Sequence, residues 1–208
     1  VTVTLVERYN PAWPAWFARI AAYLAPHLDG LAHAIEHVGS TSIAGMTAKP
    51  IIDLIVVVSR GQAAAARQPL EGARYAYRGE QGIPGRDVYR AVEGTPAAAL
   101  PAHHLYVCAT DAHELGKHRA FQAYMRAHPE WRERLSDWKW RLAERPENER
   151  QGYIDGKDAM MREIMRYAGA GKVHRVLAFS RPSDLSRSRP IKEALLEAAL
   201  RAWQERQP

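Results

Sequence analysis

The chain has 208 residues, 47% of them hydrophobic and 25% charged, enough apolar side chain for one domain with a sizeable core or for one domain with an appendage. A single cysteine, Cys108, excludes an internal disulfide and a zinc ribbon, and it points to a reducing, cytoplasmic setting. The net charge of +6 favours anionic partners, but residues 169–208 carry eight Lys and Arg against four Asp and Glu, so most of the excess belongs to that tail.

Residues 1–9 alternate weakly, as a short strand would, and lack the basic-then-apolar pattern of a secretory leader. Asn10-Pro11 reads as a helix N-cap followed by proline at the first helical position. Trp13, Trp16, Phe17, Ile20 and Leu24 then recur as one face of an amphipathic helix, which Pro26 and Asp29-Gly30 close. An apolar stretch from Ala34 to Val38 leads into GSTSIAGMTAKP and then into IIDLIVVV at 51–58. That last segment is nearly all β-branched or leucine, as in a strand buried on both faces, and it is far too short to span a bilayer.

An Ala-rich helix is expected over about 61–70, followed by short strands near 74–78, 87–92 and 105–108. The turn-rich loop GEQGIPGR separates the first two of these strands. From about Asp111 the pattern is helical, with a break at His128-Pro129. Trp131, Leu135, Trp138 and Leu142 mark the face of the next helix, and Tyr153, Lys157, Met161, Ile164 and Met165 lie on a third. The layout is α/β (α+β): a mixed β-sheet flanked by helices, with a helical C-terminal part. Residues 1–168 form the domain. Residues 169–208 form a basic extension, with the linker FSRPSDLSRSRP and a terminal helix carrying Ile191, Leu195, Leu196, Ala199 and Trp203.

Chemistry concentrates in Gly39-Ser40-Thr41-Ser42 and Asp53. A glycine before hydroxyl residues lets the backbone approach an anion, and the amides of such a turn can cradle phosphate oxygens. Ser40 and Thr41 add hydroxyls, Lys49 adds charge, and Asp53 presents a carboxylate from a rigid strand, where it can hold a divalent metal bridging phosphates. A Gly-Ser turn can equally be a plain turn, and a lysine before proline a solvated one. A carboxylate inside an apolar strand, by contrast, needs partners or a function. Two other motifs fail. Lys49 is misplaced for a Walker loop. His118 follows His113-Glu114 one position too late for a zinc protease helix.

HVGSTSIAGMTAKPIIDLIVVV resembles the signature segment of the GrpB-like family, within the polymerase-beta-like nucleotidyltransferase superfamily. The resemblance continues through YRGEQGIPGRDVYR, HHLYV, HRAFQAYMRAHPE and YIDGKDAMMREI, and covers roughly residues 5–168. It implies a nucleotidyltransferase-like fold that binds a nucleoside triphosphate with Mg²⁺. Gly39, Ser40 and Asp53 match the superfamily pattern, but its second acid falls at Ile55, which puts two-metal catalysis in doubt.

Glu80 is the candidate replacement acid, catalytic and metal-binding together with Asp53; the alternative is a glutamate capping its own loop. Arg86 can pair with phosphate, and Lys157 can reach the triphosphate or form a surface salt bridge. His104 can contact phosphate or substrate, or be a satisfied structural histidine. The family's second histidine after it is Tyr106 here. Lys117, His118 and Arg119 either face the cleft or are solvated.

The resemblance implies transfer of a nucleoside monophosphate from a nucleoside triphosphate to a small-molecule or protein hydroxyl. The alternatives are a nucleotide-binding module without turnover and, less favoured, binding of RNA or another polyanion through the tail.

Overall fold

The computed structural model describes residues 6–144 and 160–166. Its main elements are α1 Trp13–Leu24, β1 Ala32–Val38, β2 Ile52–Val58, α2 Arg67–Gly72, β3 Tyr75–Tyr77, β4 Arg86–Ala91, β5 His103–Ala109, α3 His113–Ala127 and α4 Pro129–Ala143. The strands form one mixed sheet in the order β1-β2-β5-β4-β3, in which β2 and β5 are parallel and every other pairing is antiparallel. Helices flank this sheet, and residues 160–166 are helical as well.

The strand residues alternate between two faces. Leu54, Val56, Val58, Leu105, Val107 and Tyr89 point to one face and form the main core with Trp13, Ile20 and Leu24 of α1 and Leu70 of α2. Val38, Ile55, Val57 and Cys108 point to the other, against Leu115 of α3. A further cluster packs Ile43 and Met46, from the loop before β2, against Phe121 and Met125 of α3, Leu135 of α4, and Met160 and Ile164. The segment 39–50 is thus clamped between the sheet and the C-terminal helices.

Within the described residues the expected elements form, with local differences. Helix α1 begins at Trp13 rather than at Pro11. The Asn10 Oδ1 accepts the Ala12 N–H at 2.9 Å and the Asn10 carbonyl accepts that of Trp13, so Asn10 shapes a turn ahead of the helix. The expected Ala-rich helix splits into a 3₁₀ turn, Ala63–Ala66, and the short α2. Pro69 explains the split: it has no N–H to donate and clashes with the carbonyl four residues back, so it is tolerated only in a first turn. Of residues 6–9, Glu7 pairs as an isolated bridge with Ala48. Residues 1–5, Tyr153, Lys157 and the extension 169–208 lie outside the described residues. Among the described residues no helix is long and apolar enough to cross a membrane.

Candidate functional site

Register places Asp53 in the middle of a row of three, with Val38 of β1 on one side and His104 of β5 on the other. The chain then leaves β1 at Gly39, whose φ of 70° and ψ of −170° only glycine adopts easily. A Cβ at Gly39 would lie 2.6 Å from the Asp53 Oδ2. The glycine therefore lets the turn and the carboxylate touch. The other carboxylate oxygen, Oδ1, accepts the Nδ1–H of His104 at 2.9 Å. The side chains of Asp53 and His104 are 30% and 33% exposed, so this pair opens to solvent. With Nδ1 protonated, the neutral ring of His104 offers Nε2 as an acceptor.

The turn beyond Gly39 is a 3₁₀ turn, Ser40–Ser42, and distant side chains fasten it and the loop that follows. The Lys139 Nζ of α4 donates to the Ser40 Oγ at 2.6 Å and to the Thr47 carbonyl at 2.9 Å. Ser136, one helical turn earlier, accepts the Thr47 N–H at 3.0 Å. The Gln122 Nε2 of α3 donates to the Ser42 Oγ and to the His37 carbonyl, both at 2.6 Å. Lys139 is only 2% exposed, so its charge is delivered to the back of the turn without bulk solvent.

Thr41 is also only 2% exposed, and its Oγ1 lies 2.9 Å from the His37 Nε2. Its hydroxyl is thus spent inside the fold, while Ser40 is half-buried with its hydroxyl accepting from Lys139. His37 stacks on Phe17, with ring centroids 4.9 Å apart. Burial brings its pKa down to about 4, with Arg126 adding to the effect and Asp53 opposing it. Lys49 sits half-buried just before β2.

Glu80 lies in the loop between β3 and β4, where its Oε1 accepts the Gly85 N–H at 2.6 Å, as a loop cap does. Strand β4 begins at Arg86, opposite Cys108, at the far end of β5 from His104. The Glu80 loop therefore leaves the sheet at the end away from Asp53. Among the described residues no group of three or more His, Cys, Asp or Glu side chains converges as a metal site. Ile55, in the place of the expected second acid, is fully buried under Leu115.

Arg86 turns its guanidinium over the Tyr106 ring, 4.8 Å from the centroid. Tyr106 thus fills the place of the missing histidine as a platform. Burial pushes its hydroxyl above the usual phenol range, and Asp53 and Glu114 reinforce the shift. His103, on the opposite face of the sheet, is structural: its Nδ1 donates to the Pro101 carbonyl and its Nε2 accepts from the Tyr75 hydroxyl, both at 2.7 Å.

Two residues that sequence reasoning did not single out shape the site, and Glu114, met there only in a failed zinc motif, is a third contributor. Lys139 and Gln122 are placed by tertiary docking. Glu114, at the start of α3, is nearly buried beside Lys117 and His118, at 2.7 and 3.5 Å. Burial works against its charge, but hydrogen bonds from His118 and Lys117 outweigh it and lower its pKa to about 2. Arg119 forms a bidentate pair with Glu36 of β1. Arg119 thus ties α3 to the sheet, whereas Lys117 and His118 pair with Glu114 within α3 itself.

Comparison with known proteins agrees with this architecture. The family profile described as GrpB protein matches residues 2–167. A UPF0157 protein of Halalkalibacterium halodurans is 33% identical over 170 residues, covering 81% of this chain and 84% of the relative. One from Pseudomonas aeruginosa is 31% identical over 196 residues, covering 91% of this chain and 78% of the relative. The crystal structure of the conserved protein GrpB from Enterococcus faecalis superposes with a TM-score of 0.68 at 30% identity, over 79% of this chain and 96% of that one. The chain belongs to the GrpB (UPF0157) family.

Proposed function

We propose that the segment from Gly39 to Asp53 binds a nucleoside triphosphate with Mg²⁺, and that the protein transfers a nucleoside monophosphate from it to an acceptor hydroxyl. The observation that carries this reading is the contact between Gly39 and the Asp53 Oδ2. It brings a backbone turn suited to phosphate oxygens against a carboxylate suited to their cation, and nucleotidyl transfer depends mainly on such positioning and charge neutralisation. In this reading the Ser40 hydroxyl and the turn amides meet the terminal phosphates, and Lys49 adds charge.

The donor set suits a cation carried in with the substrate. Mg²⁺ on nucleotides is commonly held by one or two carboxylates plus phosphate oxygens, and Asp53 supplies one. When bound, the ion would offset the charge of the phosphates. Asp53 and His104 are already hydrogen-bonded, which holds the carboxylate in one orientation before ligand arrives.

The test is thermal stabilisation by ATP, GTP, CTP and UTP, with and without Mg²⁺, for the wild type and Asp53→Asn. Ligand bound to the native state raises the melting temperature by mass action. A Mg²⁺-dependent rise that the substitution abolishes is expected. Absence of a response to all four nucleotides at millimolar concentration would remove this reading.

Burial of Ile55 favours a second reading, a nucleotide-binding module without turnover, because two-metal catalysis lacks its second carboxylate there. Release of pyrophosphate from a bound nucleoside triphosphate separates the two.

A further inference from the structure

The face of the sheet that carries Asp53 has a charge arrangement that the triphosphate does not account for. Its acids are Asp53 on β2, Glu36 on β1 and Glu114 on the overlying α3. Each has its own cationic or imidazole partner: His104, Arg119, and Lys117 with His118. Two arginines on the same face have no acidic partner among the described residues. Arg86, Val88 and Arg90 alternate onto this face of β4. Val88 stands opposite Tyr106, and the register continued by one residue sets Arg90 beside His104. Both arginines are half-buried and both act electrostatically on Tyr106. Neither makes an ion pair among the described residues, and the Arg86 Nε is buried with no hydrogen-bond partner among them.

We infer that Arg86 and Arg90 form an oxyanion site for the acceptor, so that the group receiving the nucleotide belongs to an acidic hydroxy compound. The inference rests on the reading of Gly39–Asp53 as the triphosphate site. The glycine turn lies on the β1 side of Asp53 and Arg90 on its β5 and β4 side, while Arg86 starts four residues away at the far end of β4 and sets its guanidinium over Tyr106 between them. In the transfer, the acceptor's hydroxyl oxygen bonds to the α-phosphorus while the bond to the bridging oxygen breaks. Pyrophosphate leaves with that electron pair, and the hydroxyl proton passes to water. Attack and departure are roughly in line, so leaving group and acceptor occupy opposite sides of the phosphorus.

With the terminal phosphates at the glycine turn, the acceptor falls on the side with the arginines. Two strand spacings, about 10 Å, separate Asp53 from Arg90, which fits a small molecule whose hydroxyl and acid group are a few bonds apart. A planar guanidinium fixed on an aromatic ring can hold a carboxylate or a phosphate through two parallel hydrogen bonds.

The experiment measures binding of inorganic phosphate and of acetate, by calorimetry, to protein saturated with Mg²⁺ and a non-hydrolysable ATP analogue. The proteins are the wild type, Arg86→Gln, Arg90→Gln and Arg90→Lys. Phosphate binding alone indicates a phosphorylated acceptor, and acetate binding alone a carboxylic one. The expected result is that either Gln variant weakens the anion at least about tenfold while affinity for the analogue changes less than about threefold, with Arg90→Lys intermediate. Equal loss of analogue and anion would assign the arginines to the triphosphate and overturn the inference. So would failure of both anions to bind the wild type. If the analogue does not bind but an anion binds in an arginine-dependent way, the nucleotide reading falls and the oxyanion site stands. Melting temperatures of the free variants identify any that fail to fold, and Arg90→Gln, next to the open pair, then serves without Arg86→Gln.

Discussion

The Lys139 Nζ lies 2.6 Å from the Ser40 Oγ, joining two residues 99 positions apart in sequence. The same ammonium holds the Thr47 carbonyl, so one buried cation fixes both ends of the loop that carries the candidate phosphate turn. Lys139→Met keeps most of the side-chain volume but leaves the Thr47 carbonyl and the Ser40 hydroxyl without this donor. Leaving buried polar groups unpaired costs about 1–3 kcal/mol, so urea denaturation is expected to show a loss of that size. Nucleotide-induced stabilisation is expected to weaken as well, because the turn loses its support. A variant with wild-type stability and wild-type nucleotide response would show that Lys139 only fills space.

Gly39→Ala tests the contact on which the functional reading stands. The new methyl would sit 2.6 Å from the Asp53 Oδ2, in a backbone conformation that alanine avoids. Strain of this kind costs about 1–3 kcal/mol, and relief of the clash requires the turn and the carboxylate to part. The expected outcome is a modestly destabilised protein that has lost its Mg²⁺-dependent response to nucleotide. Retention of that response would mean that the turn and Asp53 need not touch.

Much of this arrangement is legible along the chain, for physical reasons. The run IIDLIVVV is apolar at nearly every position, as a strand covered on both faces must be, and that makes Asp53 conspicuous. Trp13, Ile20 and Leu24 mark the buried face of α1 by helical period alone. Lys139 and Gln122 are not legible in this way. Their roles come from docking of α3 and α4 onto a loop some 80 to 99 residues earlier, and no local period encodes such a contact. The period in α4 does reveal Leu135 and Leu142, yet it does not reveal that Ser136 and Lys139 share their buried side. Thr41 shows a related limit, since composition supplies a hydroxyl without saying which way it faces. Arg90 was within reach: in RDVYRA, alternation alone puts it on the same side as Arg86.

Ile55→Asp would restore the second acid of the superfamily pattern, but the site it enters is a packed apolar cluster of Val38, Val57, Cys108 and Leu115. Truncating a buried isoleucine and introducing an unpaired carboxylate together cost more than about 3 kcal/mol. The expected outcome is a sharp fall in the urea midpoint with no gain of pyrophosphate release. A stable variant that gained Mg²⁺-dependent turnover would instead mean that this position can open to a metal.

Acid should destabilise the protein in two separable steps. Burial lowers the His37 pKa from 6.5 to about 4, so between those values the unfolded chain holds a proton that the folded chain does not. Stability is therefore full above pH 6.5 and falls as pH drops toward 4. The loss is on the order of 1–2 kcal/mol, less than the whole shift would give, because the ring is in part open to water. Glu114 acts lower on the scale. Burial opposes its charge, but its bonds to His118 and Lys117 bring the folded pKa to about 2 from 4.5, so its contribution is present above pH 4.5 and is lost as pH falls through 2. Urea denaturation at fixed ionic strength, repeated across this range, resolves the two windows. His37→Gln should flatten the upper one and leave the lower, and Glu114→Gln should do the reverse at a cost in stability at neutral pH. If His37→Gln left the upper window unchanged, the ring would have to titrate alike in the folded and the unfolded chain.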